Sequence, residues 1–165
     1  MEKYVCAISQ CLLGDNVRYD GRSKANRFIL EELSKTVSWL PICPEVEIGL
    51  GVPRPPIHLI RQLGEVKVVH VHDPTIDVTD TLQQHAISMA EKLKNVDGYI
   101  LKARSPSCGL NSTAIEGESD VSNGIFVSAV KELLPELPMI DEELITVSEQ
   151  RNAFFKAMQT YRNNR

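Results

Sequence analysis

Tyr4-Val5-Cys6-Ala7-Ile8-Ser9, running into Gln10-Cys11-Leu12-Leu13-Gly14, is the stretch from which the rest of the chain is best understood. A short apolar run closed by a glycine turn predicts a buried strand that ends in a loop. Its end carries a thiol, Cys11. The same device recurs further along. Val37-Ser38-Trp39-Leu40-Pro41-Ile42 reads as a second strand that stops at Cys43, where Pro44 prevents continuation. Gly98-Tyr99-Ile100-Leu101 reads as a third strand, followed by the polar loop Lys102-Ala103-Arg104-Ser105-Pro106-Ser107-Cys108-Gly109.

Helical patterns lie between these strands. Ser23 is the expected cap of a helix with Ala25, Phe28, Ile29 and Leu33 on its apolar side and Glu31, Glu32 and Lys35 opposite. Asp77 or Thr79 starts a second, with Leu82, Ala86, Met89, Ala90 and Leu93 on the buried stripe and a close at Asn95. Ile125 to Leu134 predicts a third, Leu137 to Ile140 a last strand, and Ser148 caps a C-terminal helix through Phe154, Phe155 and Met158. Strand and helix alternate, which predicts an α/β protein: an open, mostly parallel, Rossmann-like sheet of four or five strands with helices on both faces. Leu59 to Gln62, the turn Leu63-Gly64-Glu65 and Val66 to Val71 predict a β-hairpin appended to that sheet. The Gly- and Pro-rich segment from Cys43 to Ile57 reads as a long loop, of the kind kept mainly for function.

The 165 residues predict one domain spanning 1–165, and 42% hydrophobic against 24% charged residues is a balance that excludes disorder as the main state. No apolar run approaches the ~20 residues that cross a bilayer, and Met1 to Cys11 lacks the length and flanks of a secretory signal. The expected location is the cytoplasm, without membrane attachment. With 18 Lys and Arg against 22 Asp and Glu, the net charge is −4, which argues against stable nucleic-acid binding. Arg151, Lys156, Arg162 and Arg165 crowd the C-terminal segment, and a solvated helix face is the expected reading of them.

The four cysteines, Cys6, Cys11, Cys43 and Cys108, are too few for a disulfide scaffold in a reducing compartment. In open α/β sheets, ligands bind beyond the carboxyl ends of the strands, and Cys11, Cys43 and Cys108 are all expected there. The hypothesis is one site of three thiolates. Such a set suits an iron-sulfur cluster with one iron lacking a protein ligand, or zinc completed by a fourth donor. Cys6 lies inside the first strand and is expected to be a small buried hydrophobe. His70 and His72 share one strand face and form a weak metal pair, whereas His58 and His85 read as surface residues.

Cys11-Leu12-Leu13-Gly14 with Val17-Arg18-Tyr19-Asp20-Gly21, Cys43-Pro44-Glu45 with Gly49-Leu50-Gly51-Val52-Pro53-Arg54-Pro55-Pro56, and Ser105-Pro106-Ser107-Cys108-Gly109 together resemble the thiouracil desulfurase family, long catalogued as a domain of unknown function. The resemblance covers nearly the whole chain. It implies that 1–165 is a single iron-sulfur desulfidase domain in which the three motif cysteines hold a [4Fe-4S] cluster. The fourth iron stays open to take sulfur from a thiolated pyrimidine, giving the oxo base and sulfide. It also marks Glu45 and Ser105 as catalytic. The chemistry agrees with both: a carboxylate two residues from a ligand can shuttle protons, and a hydroxyl can fix the ring of a substrate. Glu47 competes with Glu45 for the acid role, and the plain readings of Glu45 and Ser105 are a solvated loop acid and a turn-capping serine.

The expected partner is a small thiolated nucleobase or nucleoside, and the sequence sets no oligomeric state. Two further readings stay open. An iron-sulfur or zinc sensor without catalysis would use the same thiols, although no DNA-binding element is visible. A cysteine-nucleophile enzyme would need a histidine beside the thiol, and none lies in the three motifs.

Overall fold

A computed structural model describes residues 2–165. Its strands are β1 (Tyr4–Ser9), β2 (Val37–Ile42), β3 (Ile57–Gln62), β4 (Glu65–His70), β5 (Gly98–Leu101), β6 (Thr113–Ala114), β7 (Val121–Ser122) and β8 (Met139–Asp141). Its helices are α1 (Arg27–Glu31), α2 (Pro44–Glu47), α3 (Thr79–Leu93), α4 (Ile125–Leu133) and α5 (Ser148–Asn164). The main sheet has the order β2-β1-β5-β8, and every neighbouring pair is parallel. The chain therefore moves to one side after β1 and to the other after β5. The reversal falls between these two central strands, where α/β sheets open a crevice at their carboxyl ends.

Alternation along the strands builds the two cores. Cys6 and Ile8 of β1, with Ile100 of β5 and Ile140 of β8, face α1 and α5, where Ile29, Phe154 and Met158 cover them. Ala7, Tyr99 and Leu101 point the other way, against Leu82, Ala86 and Leu93 of α3 and Phe126, Val127 and Val130 of α4. Each fully buried side chain of this size contributes ~1.5–3 kcal/mol, which is why strands with both faces covered read as unbroken apolar runs. The described residues form a mostly parallel α/β sheet with helices on both faces, as the alternation predicts. β3 and β4 make a separate antiparallel hairpin, as expected, and β6 and β7 a second one between β5 and α4.

Several boundaries differ from expectation. β1 ends at Ser9, and Cys11 lies in a short helical turn, Gln10–Leu13, that Gly14 closes at φ 97. Only a residue without Cβ adopts that backbone at no cost. Asn26, not Ser23, caps α1, its side chain accepting from the Ile29 N–H at 3.1 Å. The preceding residues are held elsewhere, with the Lys24 N–H on the Cys11 carbonyl. The expected loop after Cys43 begins with α2, because proline at the first helical position is favourable rather than disruptive. β8 starts at Met139, not Leu137, and Val147, not Ser148, is the residue before α5. His85 is half-buried, tilted over Phe126 and 2.7 Å from Glu47, so it is not the surface residue expected. Arg162 and Arg165 are likewise not a free basic face: both pair with the buried Asp97.

Candidate functional site

Three loops meet at the carboxyl edge of β2, β1 and β5. In the first, the returning chain is pinned to the cysteine turn, with the Lys24 and Asn26 N–H groups on the Cys11 and Leu12 carbonyls at 3.0 Å each. In the second, Cys43 immediately precedes α2, and its N–H donates to Glu47 Oε2 at 3.2 Å. In the third, Ser105 Oγ accepts from the Cys108 N–H at 3.0 Å and the Ser107 N–H at 3.3 Å. The start of α4 grips this loop, with the Ile125 N–H on the Pro106 carbonyl at 2.9 Å. Gly124 makes the grip possible, because a Cβ there would collide with the Ser107 backbone.

Cys11, Cys43 and Cys108 line one cavity of about 720 Å³, together with Glu45, Arg54, Ser105 and Ser107. A cleft of about 740 Å³ between α5 and the segment around Pro135 contains no cysteine, histidine or serine. The chemistry is in the former. Cys11 and Cys108 are buried and Cys43 partly so, and no disulfide joins them. Burial pushes the Cys11 thiol up to about 11, against the opposing pull of Arg18 and Lys102. Burial likewise raises Cys108 to about 12, with Ser107 and Ser9 pulling down, and raises Cys43 against the pull of the Val46 backbone and Arg54.

Glu45 is buried in the cavity wall, and both oxygens are engaged: Arg54 Nε donates to Oε1 at 3.1 Å and Ser107 Oγ to Oε2 at 2.7 Å. Glu47 bridges the Cys43 N–H and His85 with its two oxygens and does not line the cavity. Between the two acids, geometry places Glu45 beside the thiols. Arg54 also donates through Nη1 to the carbonyls of Val17 at 2.8 Å and Gly51 at 3.0 Å, so one guanidinium ties together the first and second loops. Ser105 lines the cavity while serving its own turn. Its hydroxyl lies 3.1 Å from that of Ser107, so Ser107 links the two expected catalytic residues.

In the sequence, Arg54 and Ser107 stand out only as parts of motifs, and the pair Lys102–Glu142 leaves no mark there. Lys102 Nζ donates to Glu142 Oε1 at 2.6 Å, and the Ala103 N–H to Oε2 at 2.6 Å, fastening the third loop to the end of β8. Ser-Pro-Ser-Cys and Pro-Arg-Pro carry no local signal for these long-range partners. His70 and His72 are not at this site.

The residues fit an iron-sulfur cluster. Three thiols share one cavity whose wall carries Arg18, Lys24, Arg54, Lys102 and Arg104 against Glu45 and Glu142, a cationic lining in a chain of net charge −4. Such a lining offsets the negative charge of thiolate ligands. A single zinc ion would need its sulfur donors ~2.3 Å from one point. Among the described residues, no three His, Cys, Asp or Glu side chains gather closely enough to hold one metal ion. A cluster places each thiolate on a different iron, so its donors stand further apart.

A parallel α/β sheet with three thiols and a fixed carboxylate at its carboxyl edge defines an α/β protein whose candidate site is a thiol-lined cavity at the open end of the sheet. The 2-thiouracil desulfurase family model matches residues 6–142, and the chain belongs to that family. It is 28% identical over 136 residues to the uncharacterized protein YbbK of Bacillus subtilis (strain 168), covering 76% of this chain and 88% of that one. The fold superposes on the [4Fe-4S]-dependent thiouracil desulfidase TudS with a TM-score of 0.66 and 30% sequence identity, over 93% of this chain and 97% of the other. Among the described residues no helix is long and apolar enough to cross a membrane.

Proposed function

We propose that this chain is a hydrolytic desulfidase of thiolated pyrimidines in which Cys11, Cys43 and Cys108 hold a [4Fe-4S] cluster. The observation that carries the reading is the meeting of these three thiols and the fixed Glu45 carboxylate in one cavity. When bound, the cluster supplies an iron without a protein ligand, a Lewis acid for the thiocarbonyl sulfur.

The chain's own residues do the remainder. Glu45 takes a proton from the water that attacks the thiocarbonyl carbon and returns it as the tetrahedral carbon collapses to the oxo base. Thiocarbonyl and water become carbonyl and hydrogen sulfide, so no electron donor is needed. Arg54 and Ser107 hold the carboxylate in one orientation through the whole cycle, which keeps its oxygens in reach of the water. Because Ser107 spends its proton on Glu45, the Ser105 hydroxyl is the donor between the two serines or towards the ring of a substrate. The cavity is of a size that encloses a small ligand, and the substrate is a nucleobase or nucleoside.

A sensor would have no use for a carboxylate and two hydroxyls linked beside the ligands, so the catalytic reading is preferred. Glu45→Gln in the loaded protein tests it. We expect turnover to fall by about 10²–10⁴-fold with the cluster spectrum unchanged. A variant that retains full turnover would remove Glu45 from the reaction.

A further inference from the structure

Tyr99 lies at the centre of β5, wholly buried in the core that also contains Ile42, Phe126 and Cys108. Its hydroxyl oxygen has no hydrogen-bond partner, although it is sealed from solvent. A buried hydroxyl without a partner is costly, so native cores almost always supply one. Cys108 packs in the same core as Tyr99, and it, Glu47 and Cys43 are the groups whose charge bears on the Tyr99 hydroxyl. A neutral thiol is a weak acceptor, whereas a thiolate is a strong one.

The other hydroxyls around Cys108 have competing duties. Ser107 lies 3.6 Å from the Cys108 sulfur but gives its proton to Glu45 at 2.7 Å. Ser9 accepts from the Lys102 N–H at 2.9 Å and, with Ser107, pulls the Cys108 thiol down. Tyr99 alone of the three meets no second group.

We propose that Tyr99 is a positioning residue for the cluster, donating its hydroxyl proton in a hydrogen bond to the Cys108 thiolate once that sulfur is bound to iron. The inference rests on the ligation proposed above. It explains an otherwise orphaned polar atom as half of a bond that the bound cluster completes. A donor aimed at a cluster sulfur stabilises the form carrying more negative charge, so this bond holds the reduction potential up.

The test is Tyr99→Phe, loaded anaerobically beside the wild-type protein and titrated to its midpoint potential. Loss of the donor is expected to shift the potential to more negative values. In the cluster-free protein the same substitution removes an unpartnered hydroxyl, so its melting temperature should stay level or rise, while that of the loaded form falls relative to wild type. A purely structural tyrosine would lower both. Replacing Tyr99 by a ring-fluorinated tyrosine, a stronger donor of similar size, moves the potential the opposite way and covers the case in which the phenylalanine variant loads poorly. A potential unmoved by either replacement overturns the proposal. A wild-type chain that takes up no cluster overturns the ligation itself, and this bond with it, already at the loading step.

Discussion

Replacing Arg54 by methionine separates the role of one buried guanidinium from the volume it fills. Its side chain is only 4% exposed and faces a Glu45 side chain that is 11% exposed, so solvent screens their pairing little. Methionine keeps the apolar contacts and removes the bond to Glu45 Oε1 together with those to Val17 and Gly51. The carboxylate is left buried with Ser107 as its remaining partner. Breaking a buried pair by removing one member costs about 3–5 kcal/mol, mostly as the penalty of the charge left behind. In a chain of this size, that lowers the melting temperature by roughly 6–20 °C. The penalty disappears when the carboxylate is removed too, so Glu45→Gln combined with Arg54→Met should be more stable than Arg54→Met alone by at least ~1 kcal/mol. Urea denaturation of the four cluster-free proteins measures the cycle. A cost below ~1 kcal/mol for Arg54→Met, or a double variant no more stable than it, would refute the view that Arg54 exists to hold Glu45.

Ser107→Ala removes the 2.7 Å bond to Glu45 while leaving the cysteines in place. A hydrogen bond to a charged group is worth ~1.5–3 kcal/mol, so kcat should fall by about one to two decades with an unchanged cluster spectrum; a kcat within about twofold of wild type counts against the link. Asp97 joins the first strand to the last helix, accepting from the Val5 N–H at 2.8 Å and from Arg162 at 2.6 Å and 3.0 Å. Burial alone would raise its carboxyl, but Arg162, the Val5 amide and Arg165 outweigh this and hold it below the usual carboxylate range. The folded value is therefore depressed, so the stabilisation is present above about pH 3.9, the unfolded value, and is lost as pH falls through the folded one. Wild type should exceed Asp97→Asn in stability near neutrality, with the gap closing in acid. Denaturation midpoints whose difference stays constant down to about pH 2 would contradict the assignment.

The parts of this protein written in local pattern were legible, and those written in long-range pairing were not. β1, β2 and β5 follow from apolar runs bounded by glycine, proline and polar loops, and their parallel order follows from the alternation with helices. That order brings Cys11, Cys43 and Cys108 to one edge, although 32 and 65 residues separate them along the chain. Glu45 was visible through its motif, but that it, and not Glu47, lines the cavity needed coordinates, because the two acids diverge only when α2 forms. α2 itself was hidden by Pro44, which stops a strand and starts a helix with equal ease. Arg54, Ser107 and the Lys102–Glu142 pair act on partners 9, 62 and 40 residues away, and no periodicity records such a contact. Tyr99 gave no sign beyond its place in an apolar strand.

The ligation itself is tested most directly by iron and sulfide analysis after anaerobic reconstitution of the wild-type chain and of its four single Cys→Ala variants. We expect about four irons and four sulfides per wild-type chain, the content of one cubane cluster. That content should be lost in each of Cys11→Ala, Cys43→Ala and Cys108→Ala and kept in Cys6→Ala, whose thiol is buried against Met158 and does not line the cavity. Full iron and sulfide in any of the first three variants would contradict the three-thiolate site.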